Sequence, residues 1–506
     1  MLRKSQTQIV FTLSLFFLSV SINWSQSTND PASFFVPIVL AEGGADGSNY
    51  SSELTLANRS DREVTLEFTY TVAFGEGSGT AIDSLQAGQQ RIVPDAIAYL
   101  RQLGLAIPES GSQGGTLRIR FFGVTSLNEA CVLVRTTTLV PEGRAGVSYS
   151  GVPSGSLLEG PAYLCGLRQN SADRSNIALQ HAGDPGSGDI TLRVRVLSGS
   201  ADLPVATDLP DIVLSPGGFH QINEVLISNG LSLTSGYVRV ERISGLAPYY
   251  AYAVVNSQLS SRPEYLPQVA WDSLDGSFIA PTPEGAWAGS DTLTLPSFDV
   301  GSQPSSIEWV LTNLSSSDTE VRISSLYWLY GEPESWTDFN LRSGEQKILR
   351  SNRGAAISGV SPMVVDLPMS DLHVGVRVLG RERDLRYGFF YAGIPSERES
   401  QTDAWLFGLQ QDSETRTSLI LVNLVDQGAA FDIELFDGET GLKARTVGNI
   451  DVGARSSLRL DSVLARYASG VTQGYARVVA ARPGLFVTHA LIVDRSGDGS
   501  VIYSLP

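Results

Sequence analysis

The sequence predicts an all-β chain: tandem immunoglobulin-like β-sandwich modules in the order A-B-A′-B′, with short crossover helices. Three observations predict it: period-two apolar alternation, dense turn residues and an internal repeat. Alternation runs through Phe68, Tyr70, Val72 and Phe74, and through Leu117, Ile119 and Phe121. It recurs in Leu192, Val194 and Val196, with Arg193 and Arg195 between them. This pattern gives a strand one buried and one wet face. The runs are short, rich in β-branched and aromatic residues, and separated by Gly/Asn/Asp/Ser clusters. With 50 glycines and 24 prolines in 506 residues, turns are favoured over long helices. That length exceeds one ordinary domain, and the density of short strands is that of two-sheet sandwiches.

Taken in order, the chain opens with an expected signal peptide, residues 1–26. Arg3 and Lys4 precede the apolar stretch 9–22 (IVFTLSLFFLSVSI), which is short for a membrane span. Ser19 and Ser21 offer one cleavage site and the Ser25 region another; an uncleaved N-terminal anchor is the alternative. No Cys follows the apolar stretch, so a lipid anchor is not expected. No other apolar run reaches about 18 residues. The expected location is therefore exported: periplasmic, cell-surface or secreted, with no stable membrane insertion after cleavage.

The repeat defines the rest. YLCGLRQNSADRSNIAL at Tyr163 returns as WLFGLQQDSETRTSLIL at Trp405, an offset of 242. Leu164, Gly166, Leu167, Gln169 and Arg174 fall on Leu406, Gly408, Leu409, Gln411 and Arg416. Upstream, Arg135, Gly146, Tyr149, Gly151 and Pro153 meet Arg377, Gly388, Tyr391, Gly393 and Pro395. An ungapped match of this extent reads as a duplication. A finer repeat lies inside each half. Leu56-Ala57-Asn58, Leu311-Thr312-Asn313 and Leu421-Val422-Asn423 end strand-like runs, and Leu179-Gln180-His181 is the fourth copy. A turn follows each: LQAG at Leu85, LSPG at Leu214, LRSG at Leu341 and IDVG at Ile450. Short helical patterns at 95–104, 223–230 and 461–470 each carry an N-cap residue before and a glycine after. Then come Gly115-Thr-Leu-Arg118, Gly236-Tyr-Val-Arg239 and Gly474-Tyr-Ala-Arg477; the third copy departs, with Pro362. The expected modules are 32–155, 156–284, 285–397 and 398–506, arranged as a rod or a compact curved array.

The FVPIVL start, the L-x-N strand, the apolar-Gly turn, the short helix, GY-x-RV and the closing DGS resemble uncharacterised repeat β-sandwich modules of secreted bacterial proteins. The resemblance spans residues 34–506. It implies a β-sandwich outside the cytoplasm and no defined activity.

A formal net charge of −17 repels nucleic-acid phosphate, and no basic stripe exists, so no nucleic-acid partner is expected. Lysine is confined to Lys4, Lys347 and Lys443. His181, His220, His373 and His489 stand at unrelated points of the repeat and read as structural. Metal-ligand spacings, nucleophile elbows and nucleotide-binding glycine patterns are absent, so neither enzyme activity nor a cofactor is expected. Cys131 aligns with His373 and Cys165 with Phe407; a disulfide and two buried thiols both remain open. Acidic turns near Asp275 and Asp498 read as hairpin turns, with Ca²⁺ the alternative. In LYWLYGEPESW, Leu326, Trp328 and Tyr330 follow the core face, while Trp336 matches Thr80 in an expected loop. An aromatic there can stack on a sugar or anchor a protein, with a lid on the sandwich edge as the alternative, so Trp336 is the one candidate binding residue. The expected function is non-catalytic: a structural, adhesive or scaffold role through protein or glycan contacts. The alternatives are a carbohydrate-binding envelope protein, resting on Trp336 and Trp287, and an extracellular hydrolase.

Overall fold

A computed structural model describes residues 32–43, 49–140, 143–171, 173–257, 276–284, 292–295, 306–329, 332–351, 363–366, 371–382, 385–396, 399–494 and 499–503. The expected signal peptide, Trp287 and the acidic turns at Asp275 and Asp498 lie outside the described residues.

The chain is all-β, in antiparallel sheets that fall into four successive strand groups. In the first group, Ala32–Gly43 pairs along most of its length with Gln113–Phe122 and only at its end with Asn49–Asn58. The nine-stranded sheet therefore divides into two leaves. Leu54, Leu56, Val132 and Val134 from one leaf share a buried cluster with Leu66, Phe68, Leu117, Ile119 and Phe121 from the other. The second group has sheets of six and four strands, the third five and four, the fourth four and four. The cores of the second and fourth repeat the arrangement: Leu192, Val194 and Val196 meet Leu179, Ala251 and Ala253 in the second. In the fourth, Ile433, Leu435 and Val478 meet Leu419, Leu421 and Ala490. Period two puts these residues inward on both sheets, and each fully buried aliphatic side chain contributes about 1.5–3 kcal/mol.

The helical windows part company. Ala96–Gln102 is a helix: the Asp95 carboxylate accepts the Ala98 N–H at 2.9 Å, and Gly104 follows at φ +102°. Val463–Tyr467 is a shorter one, entered through Ser462 at φ 47° rather than capped by Asp461. Asp461 instead accepts a hydrogen bond from Ser418 Oγ at 3.0 Å. The window 223–230 forms turns and a single 3₁₀ turn, Ser228–Gly230. Glu224 sits at φ 49° and donates its N–H to Asn176 Oδ1, which breaks the helix start. Val225 and Leu226 still fill the core position, so burial is kept without the helix.

The first and last strand groups touch, which excludes a rod. Residues 32–155 contact 156–284 through Tyr250 and Tyr252, which join the first core. Residues 156–284 contact the third group, in which Val310 packs on Gly166. In the third group Ile394 packs on Ile420, Val422, Val487, Leu491 and Val493 of the fourth. The fourth returns to the first through Phe407 and Tyr475, clustered with Ala57 and Cys131. Strands Gly143–Ser150, Gly276–Ile279, Leu385–Ala392 and Gly499–Tyr503, one from each group, pack one against the next in the same cyclic order.

Candidate functional site at the junctions between strand groups

The repeated sequence signals converge on these junctions. Each L-x-N asparagine fixes the turn that follows it. Asn58 Nδ2 reaches the carbonyls of Arg62, Leu85 and Gln86 at 2.7, 3.2 and 2.9 Å, and its Oδ1 accepts the Ser60 N–H at 3.0 Å. Asn313 does the same with Ser317, Leu341, Arg342 and Ser315. Asn423 does so with Gln427, Val452, Gly453 and Val425. His181 serves in the fourth copy: Nδ1 accepts the Gly183 N–H at 3.1 Å and Nε2 donates to the Gly188 carbonyl at 2.9 Å. A buried polar side chain here meets backbone groups that would otherwise lack partners.

Two residues beyond the fixed turn stands the residue that crosses the junction. Gln90 donates its backbone N–H to the Gly438 carbonyl at 2.8 Å. Its side chain donates Nε2–H to the Gly474 carbonyl at 2.8 Å and accepts the Gly408 N–H at 2.7 Å. Gln346 repeats all three contacts, on Gly199 (2.8 Å), Gly236 (3.0 Å) and Gly166 (2.8 Å). Phe219 occupies this position after the LSPG turn and packs into the first core instead. Glycine is required on the receiving side. A Cβ at Gly474 would lie 2.1 Å from the Phe436 carbonyl oxygen, and one at Gly199 would lie 2.6 Å from Gln346 Cβ. Gly166 and Gly408 sit at φ 83° and 75° in the register breaks between Leu164 and Leu167 and between Leu406 and Leu409. These bulges turn an N–H out of the ladder toward the neighbouring group. In the first group the corresponding break, between Val36 and Val39, holds Pro37. Pro37 has no N–H, and its carbonyl accepts from Gln180 Nε2.

The tyrosine of GY-x-R completes the contact. Tyr475 donates to the Gly88 carbonyl at 2.9 Å and Tyr237 to the Gly344 carbonyl at 3.0 Å. Burial pushes the Tyr475 hydroxyl up to about 12 and raises that of Tyr237, so both stay protonated donors. Buried charge lies alongside. Glu53 Oε1 accepts from Gln410 Nε2 at 2.6 Å and from Arg135 Nη1 at 3.4 Å. At the second–third junction Glu308 pairs with Arg168, and Arg377 with Asp173 at 3.2 Å. Offset 242 aligns Arg168 and Asp173 with Gln410 and Thr415. The second–third junction therefore adds one acid and one base together and stays balanced.

Other sequence candidates sit apart from this arrangement. Trp336 lies on a strand, Glu332–Leu341, where the register breaks between Ile323 and Ser324, and not in a loop. The stretch of chain between paired positions absorbs it as a bulge, and its side chain is outside the described residues. Its aligned partner Thr80 is likewise in a strand, paired with Thr69. Cys131 and Cys165 are buried free thiols, each pushed up to about 12 by burial and so held as thiol. Burial lowers His373 to about 4 and His489 to about 3, which keeps both neutral. Among the described residues no group of three His, Cys, Asp or Glu side chains could hold a metal, and no helix is long and apolar enough to cross a membrane. An open polar cleft of about 690 Å³ lies beside the second–third junction. Its cations are matched, Arg342 to Asp202 and Lys347 to Glu345. Sequence reasoning missed Gln90 and Gln346, although both stand two residues after the glycine of the LQAG and LRSG turns. Comparison with protein-family models and with curated proteins finds no match for this chain.

Proposed function

We propose that this chain is an exported, non-catalytic array of four immunoglobulin-like sandwich modules, 32–155, 156–284, 285–397 and 398–506, formed by duplication of an A-B pair. It is akin to the uncharacterised repeat modules of secreted bacterial proteins and serves a structural, adhesive or scaffold role through protein or glycan contacts. One observation carries the reading: the motifs that recur along the chain meet one another as docking hardware. Gln90 and Gln346, each set by a repeated asparagine clamp, grip glycines belonging to the repeated YLCGL/WLFGL and GY-x-R phrases. Repetition that preserves docking parts suits a protein whose task is to hold surfaces in fixed relation.

Trp336 supports a second reading, a carbohydrate-binding envelope protein. It sits at a bulge on the edge strand of its sheet, a position from which side chains are commonly re-aimed. The test uses the mature chain from about Ser27 onward on a glycan array, on envelope extract, and against ester, glycoside and peptide probes. Capture of a defined glycan or envelope protein without turnover is expected. Hydrolysis of any probe overturns the non-catalytic reading, and glycan capture lost in Trp336→Ala selects the second.

A further inference from the structure

Around the cycle of contacts, three junctions join groups that follow one another along the chain. The fourth, between 32–155 and 398–506, joins the first group to the last with no peptide bridging them directly. Its contacts are the same in kind as those of the second–third junction: the glutamine bracket, the tyrosine–glycine hydrogen bond and a buried glutamate held by a side chain of the neighbouring group, Glu53 by Gln410 and Glu308 by Arg168. Each junction is heterologous, with a donor surface on one group and a different receiving surface on the next. Both surfaces of the first–last junction are present on every copy of the chain. A heterologous contact that closes within one molecule can equally be made between two.

Opening this junction exposes the Gln90 amide, the Gly408 N–H and the Gly474 carbonyl, which water can satisfy. It also exposes Phe407 and Tyr475, which are 2% and 3% accessible when closed. Those rings are covered again only by a surface shaped like the one they left. The matching surface is residues 32–155 of another copy.

We propose that the first–last junction is a clasp, and that residues 398–506 of one copy dock on residues 32–155 of a second copy to give exchanged dimers. Closure within one chain is favoured at low protein concentration, because tethered partners see each other at roughly millimolar effective concentration. Exchange therefore grows with concentration and with any step that opens the clasp. The inference goes beyond the scaffold reading and is independent of what the array binds.

The test is subunit exchange in the full mature chain. Two pools carrying donor and acceptor dyes are mixed at high concentration in mild denaturant, returned to buffer, and followed by energy transfer and by light scattering after size exclusion. Transfer within a discrete dimer of unchanged circular dichroism is expected. Gln90→Ala is expected to speed exchange about tenfold, the effect of losing roughly one to two net hydrogen bonds. Gln346→Ala makes the same lesion at the second–third junction and is expected to leave the exchange rate unchanged. The milder pair Tyr475→Phe and Tyr237→Phe repeats the comparison should either alanine variant fail to fold. A chain that stays monomeric throughout overturns the proposal. So does equal acceleration by the matched variants, since exchange would then run through global unfolding. A blank on glycans and envelope proteins leaves this experiment untouched, so the two readings fail separately.

Discussion

Asn423 shows how much one side chain holds. Its amide reaches three carbonyls across the turn that closes its strand group, and its oxygen takes the Val425 N–H. Asn423→Ala leaves buried carbonyls without partners and is expected to cost about 1–3 kcal/mol, read from urea midpoints. The L-x-N pattern was plain in the sequence. Its reach to carbonyls roughly thirty residues away was not, because hydrogen bonding to backbone leaves no trace in residue type at the acceptor. The same holds for His181, which replaces asparagine by matching its donor and acceptor with two ring nitrogens. His373 and His489 make a pH prediction. Burial holds both folded-state values, about 4 and about 3, below the unfolded value near 6.5. Above pH 6.5 both states are neutral and neither histidine shifts stability. Below it the unfolded chain takes up protons that the folded chain refuses, so stability falls, by up to about 1.4 kcal/mol per pH unit for each histidine. Thermal melts at pH 7.5, 6.5 and 5.5 are expected to show this fall, and His489→Gln is expected to flatten it. Parallel slopes in the two proteins would count against the assignment.

Among the elements, strands were legible and helices only in part. Alternation located the inward faces of Leu117–Ile119–Phe121 and Leu192–Val194–Val196 because period two is written directly into residue type. The window 223–230 looked helical by its ends, yet Glu224 in the left-handed region overrides them. A left-handed residue other than glycine is set by its surroundings, here the Asn176 side chain, and cannot be read locally. Bulges are also hidden: no residue type in LCGL or LFGL other than the glycine itself marks the register breaks at Gly166 and Gly408. Alanine at either position must adopt the left-handed conformation and is expected to cost about 1–2 kcal/mol. At Gly166 the added Cβ would also lie 3.3 Å from a Val310 methyl. Denaturant titrations that show no loss in either variant would contradict the left-handed assignment.

For the whole molecule, the all-β class was readable in the sequence, while the closing of contacts from last group to first was not. Contacts between distant surfaces are not encoded in any window, and Gln90 looks like an ordinary polar turn residue until Gly408 and Gly474 are placed beside it. The buried charges at the second–third junction give a prediction at this scale. Arg168→Met removes the guanidinium that pairs with the buried Glu308 carboxylate and is expected to cost about 3–5 kcal/mol. Arg168→Met with Glu308→Leu should recover most of that loss, and a double variant as unstable as the single would contradict the pairing.

The central claim, that glutamines bracket glycines across two matching junctions, is tested most directly by amide hydrogen exchange at Gly408 and Gly166. Each N–H is donated to a glutamine side chain of another strand group, Gln90 or Gln346. Both amides are expected to be protected in the native protein. Gln90→Ala should release Gly408 and spare Gly166, and Gln346→Ala should do the reverse. Protection at Gly408 that survives Gln90→Ala would contradict the account.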